Sequence, residues 1–204
     1  MTTASYGFGR QDATLQGQTM RGYFAIGAER ISKQLNLGNL VRSAHGFGAS
    51  FFFTIGSHLS RGEAYADTSK AAGHLPIYSY PTPADLKLPK GCRLVGIELL
   101  DEAIELPSFR HPLLAAYVLG PERGSLSEAV IERCDYIVKI PTSFCVNVAM
   151  AGAIVMYDRV RSLGRFAERP VGEGGPAGVD HPPGGPGLGA ERVPHPRAAG
   201  KHRD

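Results

Sequence analysis

Few side chains in this 204-residue chain stand in patterns that could do chemistry. Four matter most: Asn36, Arg42, Glu122 and Asn147. Glu122 sits inside a glycine turn, Gly120-Pro121-Glu122-Arg123-Gly124, that closes an apolar run. Asn147 follows a second run closed by Ile140-Pro141, with Cys145 and Val146 just before it. Amides, a carboxylate and a guanidinium can orient a substrate and stabilise charge as it develops. Arginine is a poor formal base, because its pKa exceeds about 12. On its own segment Arg42 reads as a solvated arginine on an amphipathic helix. Cys145 has no histidine near it in the pattern, which argues against a nucleophile. His58 and His74 lack close His, Cys or Asp partners. Asp101, Glu102 and Glu105 read as a solvated loop. Cys92, Cys134 and Cys145 have no paired close spacing, so neither a disulfide framework nor a zinc site is expected.

These residues need elements to position them. Gly22–Gly27 looks like the first strand. Leu37, Leu40, Val41 and Ala44 then follow helical spacing, with Asn36 placed as the cap and Arg42 off the apolar stripe. Ala49–Ile55 is apolar throughout, as expected of a central strand in a parallel sheet. Strand, helix and strand at this spacing make a βαβ unit. Residues 56–74 read as a polar loop of the kind that contacts substrate. Pro76–Tyr80, Arg93–Leu99, Ala115–Leu119 and Tyr136–Ile140 are further short strands. Ser127–Cys134 can form a short helix capped by Ser125 or Ser127. Val146–Tyr157 is apolar on almost every side and is expected to be a helix buried all round.

The middle of the chain resembles the SpoU (TrmH-type) branch of the SPOUT RNA methyltransferases. Gly120, Glu122 and Gly124 match that family's Gly-x-Glu-x-Gly turn, and Ile140-Pro141 and Asn147 match its later motif. Asn36, Gly38, Arg42 and Ala44 fall on its first motif. The similarity covers about residues 21–160, with three motifs in order. It implies an α/β fold, a parallel sheet with a C-terminal trefoil knot that forms an S-adenosyl-L-methionine pocket. It also implies transfer of a methyl group to a ribose 2′-hydroxyl of RNA. Arg42, Asn36, Glu122 and Asn147 become the catalytic candidates. Arg42 would act on the ribose oxygen or the adjoining phosphate, and whether it takes the proton itself is left open. The donor-binding candidates are Leu119, Gly120, Pro121, Gly124, Ile140, Pro141, Val146 and Ala149. The family commonly has Ser-Leu-Asn where this chain has Cys145-Val146-Asn147, so any contact made by the serine is weakened here. The resemblance further implies a homodimer with the last helix near the interface, and it gives no role to Glu98.

Composition bounds this reading. Hydrophobic residues are 43% and charged residues 20%, which fits a globular protein. The formal charge of +3 tolerates a polyanionic partner without demanding one. No signal pattern opens the chain, and Val146–Tyr157 is too short to cross a bilayer, so a cytoplasmic protein without a membrane partner is expected. Residues 1–20 are expected to be a flexible lead, 21–165 the methyltransferase domain and 166–204 a disordered tail. The tail holds nine glycines and seven prolines, too few apolar residues to build a core. Little sequence precedes the first strand, which favours tRNA over rRNA as substrate. Two other readings stand beside this one: a catalytically weak RNA-binding homodimer with a relict S-adenosylmethionine pocket, and a SPOUT enzyme that methylates a base nitrogen.

Overall fold

The computed structural model describes residues 22–59 and 74–167, together with two short strands, β1 (Thr14–Leu15) and β2 (Gln18–Thr19), paired antiparallel. The expectations for 1–20 and 166–204 fall almost wholly outside the described residues. Seven further strands form one sheet: β3 (Tyr23–Glu29), β4 (Phe51–Ile55), β5 (Ile77–Tyr80), β6 (Arg93–Ile97), β7 (Ile104–Glu105), β8 (Leu114–Leu119) and β9 (Tyr136–Lys139). Their order is β5-β4-β3-β8-β6-β9-β7, and every pair is parallel. Parallel strands need crossover connections, which place helices on both faces. The α-helices among the described residues are α1 (Gln34–Gly46), α2 (Glu128–Ile131) and α3 (Val148–Leu163).

Side-chain alternation along the strands divides the core in two. Phe24, Ile26, Tyr117 and Leu119 pack with Leu37, Leu40 and Val41 of α1 and Val155 and Met156 of α3. Ala25, Phe53, Ala116 and Val118 pack the other way, against Leu86, Leu126 and Val130. Both faces of β3, β4 and β8 are covered, which is why these segments read as continuous apolar runs.

Three expectations need correction. Helix α3 is not buried all round: Met150 and Tyr157 are 57% and 56% exposed, and Ile154 is half-buried. Asn36 does not cap α1, which begins at Gln34 with Lys33 as its N-cap. The solvated-loop reading of Asp101, Glu102 and Glu105 misses β7, a two-residue edge strand paired with β9.

A buried arginine anchors the end of the sheet where β3 and β8 begin. Arg159 of α3 is 1% exposed and donates to the carbonyls of Pro112 (2.6 Å), Leu113 (2.8 Å) and Tyr23 (3.3 Å), and to the Tyr117 hydroxyl (3.1 Å). Its guanidinium lies over the Phe24 ring at 5.2 Å. Neutral oxygens and aromatic faces thus replace much of the water that the charge gives up, while the buried Nε has no hydrogen-bond partner among the described residues. Beside it, His111 bridges Tyr117 and Asp158 at 2.6 and 2.9 Å. Burial pulls the His111 pKa down, against the opposing pull of Asp158.

Candidate functional site

Strand order reverses between β3 and β8, and a cleft of about 250 Å³ opens beside that point, beyond the carboxyl ends of the strands. That is where open parallel sheets characteristically bind ligands, because the loops diverge there. Ile97, Leu119 and Ile140, from the ends of β6, β8 and β9, make part of its wall. The glycine turn contributes Gly120, Pro121, Glu122 and Gly124. The segment leading into α3 contributes Thr142, Cys145, Val146 and Asn147, and α1 contributes Lys33 and Asn36 from its start.

Gly120 sits where a side chain would crowd the wall. A Cβ there would lie 3.2 Å from the Leu126 nitrogen and 3.3 Å from Glu98 Oε2. Gly124 adopts φ +97, a region that L side chains rarely enter.

Glu122, Asn36 and Asn147 form a continuous relay. Glu122 Oε1 accepts from the Lys33 N–H (2.9 Å) and from Asn36 Nδ2 (3.1 Å). Its Oε2 accepts from the Ser32 N–H (3.1 Å) and hydroxyl (3.0 Å). Asn36 Oδ1 accepts from Asn147 Nδ2 at 3.0 Å, and Asn147 Oδ1 accepts from the Ala149 and Met150 N–H groups. The direction of the relay is fixed at both ends. An ionised carboxylate only accepts, so Asn36 must turn its NH₂ towards Glu122. The start of α3 only donates, so Asn147 must turn its oxygen towards the helix. Both amides are thereby locked.

Glu122 also explains why Asn36 is not a cap. The carboxylate serves the start of α1 from a loop 86 residues away, where the helix dipole favours negative charge. Asn36 is freed to face the cleft. Burial pushes the Glu122 carboxyl up, but the hydrogen bonds from Lys33, Asn36 and Ser32 outweigh it, and its pKa falls below the ordinary value.

The segment after the glycine turn is pinned at three successive residues. Arg30 donates to the Ser125 carbonyl (3.0 Å), Glu98 accepts the Leu126 N–H (2.7 Å) and Glu29 accepts the Ser127 N–H (2.7 Å). Ser127 then caps α2. Nothing in the sequence around Arg30, Glu29 or Glu98 marks these contacts. The only local signal at Arg30 is its position after a strand, where it takes φ +49.

Of the catalytic candidates, the structure brings Asn36, Glu122 and Asn147 together. Arg42 is exposed on α1 and stands outside the lining, as the apolar stripe of that helix requires. Of the donor-binding candidates, Leu119, Gly120, Pro121, Gly124, Ile140 and Val146 line the cleft. Pro141 is exposed outside it, and Ala149 is buried in the core, while Val148 and Ala151 take its place on the wall. No cluster of three or more metal-ligating side chains occurs among the described residues. No helix among them is long and apolar enough to cross a membrane.

The chain is 26% identical over 144 residues to the mouse (Mus musculus) tRNA (guanosine(18)-2′-O)-methyltransferase TARBP1, covering 66% of this chain and 9% of that one. It is 32% identical over 146 residues to an uncharacterized tRNA/rRNA methyltransferase of Archaeoglobus fulgidus, covering 67% of this chain and 63% of that one. Among solved structures, the SpoU methyltransferase AviRb from Streptomyces viridochromogenes, in complex with the cofactor AdoMet, superposes with a TM-score of 0.62. That match has 22% identity and covers 69% of this chain and 60% of the other. The profile of the SpoU rRNA Methylase family matches residues 23–157, from the first residue of β3 into α3, and the chain belongs to that family.

Proposed function

We propose that this protein is an S-adenosylmethionine-dependent RNA methyltransferase acting on a ribose 2′-hydroxyl, with tRNA the favoured substrate. The observation that carries the reading is the locked Glu122–Asn36–Asn147 relay, whose three residues all line the cleft beyond the carboxyl ends of the strands. The mouse relative's name specifies 2′-O-methylation of tRNA, which supports the same chemistry here.

The cleft fits the donor. Glycine at 120 leaves room that a Cβ would fill, and Leu119, Ile140 and Val146 offer apolar surface to a nucleoside. Two lining carboxylates, Glu98 and Glu122, against one lining cation, Lys33, suit a positively charged sulfonium. The donor supplies the methyl group. The chain's own residues supply position. Asn36 and Asn147, unable to rotate, offer fixed dipoles to the acceptor side of the cleft, so little reorganisation is needed as charge moves. Arg42, whose guanidinium has no partner among the described residues, acts from the RNA side. It holds the ribose oxygen or clamps the neighbouring phosphate as the hydroxyl gives up its proton. Cys145, exposed at the wall, offers a thiol where relatives commonly have a hydroxyl, a weaker hydrogen bonder.

The reading includes the family's knotted threading and a homodimer. Exposed Met150 and Tyr157 with half-buried Ile154 follow i, i+4, i+7 spacing on α3, an apolar stripe suited to a second copy.

The test is incubation of the protein and labelled donor with total RNA from a deletion strain, followed by nuclease digestion and mass spectrometry. The expected product is a ribose-methylated nucleoside from tRNA. Label on a base nitrogen would replace ribose by base as the target. Donor binding without any turnover would leave an RNA-binding dimer with a relict pocket.

A further inference from the structure

Glu98 is the one carboxylate on the cleft wall that the relay leaves unused. It follows the last residue of β6, on the far side of β8 from α1 and β3. Its Oε1 accepts the N–H of Leu99 at 3.0 Å, and its Oε2 accepts that of Leu126 at 2.7 Å. A carboxylate offers about four acceptor positions, so roughly half of its capacity is free. No cation pairs with it among the described residues. Oε2 borders the space that Gly120 keeps open, since a Cβ on that glycine would lie 3.3 Å away. A rigid, half-satisfied carboxylate on the wall of a ligand cleft has its remaining lone pairs available to the ligand.

We propose that Glu98 is a donor-binding residue that accepts hydrogen bonds from the ribose diol of S-adenosylmethionine, an inference that rests on the donor reading above. The reactive end of the donor has to face the Asn36–Asn147 side, where the acceptor is held. The nucleoside then extends across the end of β8 towards β6, where Glu98 stands. A cis-diol presents two adjacent O–H donors, the arrangement a carboxylate matches. Glu98 is held by two backbone N–H groups before the ligand arrives, so little side-chain entropy is lost on binding.

Calorimetry on the full chain tests this with S-adenosylhomocysteine, 5′-methylthioadenosine, and 2′-deoxy and 3′-deoxy forms of the latter. Glu98→Gln keeps an acceptor for the Leu126 N–H, and it should weaken both intact ligands by about 10- to 100-fold, the range for bonds to a charged group. At least one deoxy ligand should show a comparable loss on the wild type and little further loss on Glu98→Gln, because the same contact is removed twice. Unchanged affinity in Glu98→Gln, or fully additive losses, overturns the proposal. So does a loss confined to S-adenosylhomocysteine, which would assign Glu98 to the ammonium that methylthioadenosine lacks. If the variant does not fold, full affinity of the wild type for both deoxy ligands overturns it. A wild type that binds none of these ligands sinks the donor reading itself, and this inference with it.

Discussion

Replacing Glu122 with glutamine tests whether an ionised carboxylate organises the site. The substitution turns one carboxylate oxygen into an NH₂ group of the same size. Glutamine best keeps its oxygen at the Oε1 position, where it still accepts from Lys33 N–H and Asn36 Nδ2. Its NH₂ then faces the Ser32 N–H, donor against donor, and only the Ser32 hydroxyl can turn to accept. The Ser32 N–H is left with only its longer, 3.4 Å contact to the Oε1 position, and the other bonds lose their charge assistance. Bonds to charged groups contribute about 1.5–3 kcal/mol each, and those to Ser32 and Lys33 are solvent-exposed. Discounting for that screening leaves a net cost of about 1–2 kcal/mol. Urea denaturation at several pH values measures it. The folded-state pKa of Glu122 is lowered, so the wild type's advantage is complete above the ordinary value of 4.5 and is lost as the pH falls through the depressed one. A stability difference that stays constant into acid, or none at neutral pH, would refute the argument.

Three other outcomes are expected. Gly120→Leu should abolish S-adenosylhomocysteine binding with the fold retained; calorimetry showing unchanged affinity would remove Gly120 from the cleft wall. Arg42→Ala should keep stability within about 0.5 kcal/mol, since the residue is exposed. Its single-turnover methyl transfer at saturating donor and RNA should fall by roughly 10²–10³, whereas near-normal turnover would end the catalytic assignment. Gly152→Ala should destabilise by up to about 2 kcal/mol net, because overpacking against the buried Leu40 Cδ1 and Ile26 Cδ1 outweighs a helix-propensity gain of about 1 kcal/mol. An unchanged denaturation midpoint would mean that α1 and α3 separate more easily than their packing indicates.

What the sequence discloses follows physical lines. Fully covered strands appear as unbroken apolar runs, so β3, β4 and β8 are legible. The glycine turn and Ile140-Pro141 are legible because β8 and β9 both end in turns beside the cleft, and turn shape is written in glycine and proline. Long-range polar partnerships leave no local mark. Asn36 at a helix start looks like a cap, and nothing nearby announces that Glu122 takes over that duty. Glu98 looks like an ordinary residue after a strand until Leu126 is seen beside it. Arg159 lies on an amphipathic stretch and gives no hint that four oxygens enclose it. Met150 and Tyr157 read as core because apolar identity does not say which face of a helix is covered.

The order of the sheet has a consequence for how the chain reaches its native state. The two strands at its centre, β3 and β8, pair Tyr23 with Leu114, about 90 residues apart, and such distant contacts slow folding. The segment from β3 to β5 can pair locally as it leaves the ribosome, but β3 must wait, with one edge open, until β8 has been synthesised. Open apolar edges invite pairing with other chains, so rapid overproduction should favour aggregation before completion. The relay cannot form until later still, since it needs Asn147, beyond every strand of the sheet. Its three side chains meet only after both halves of the sheet have joined.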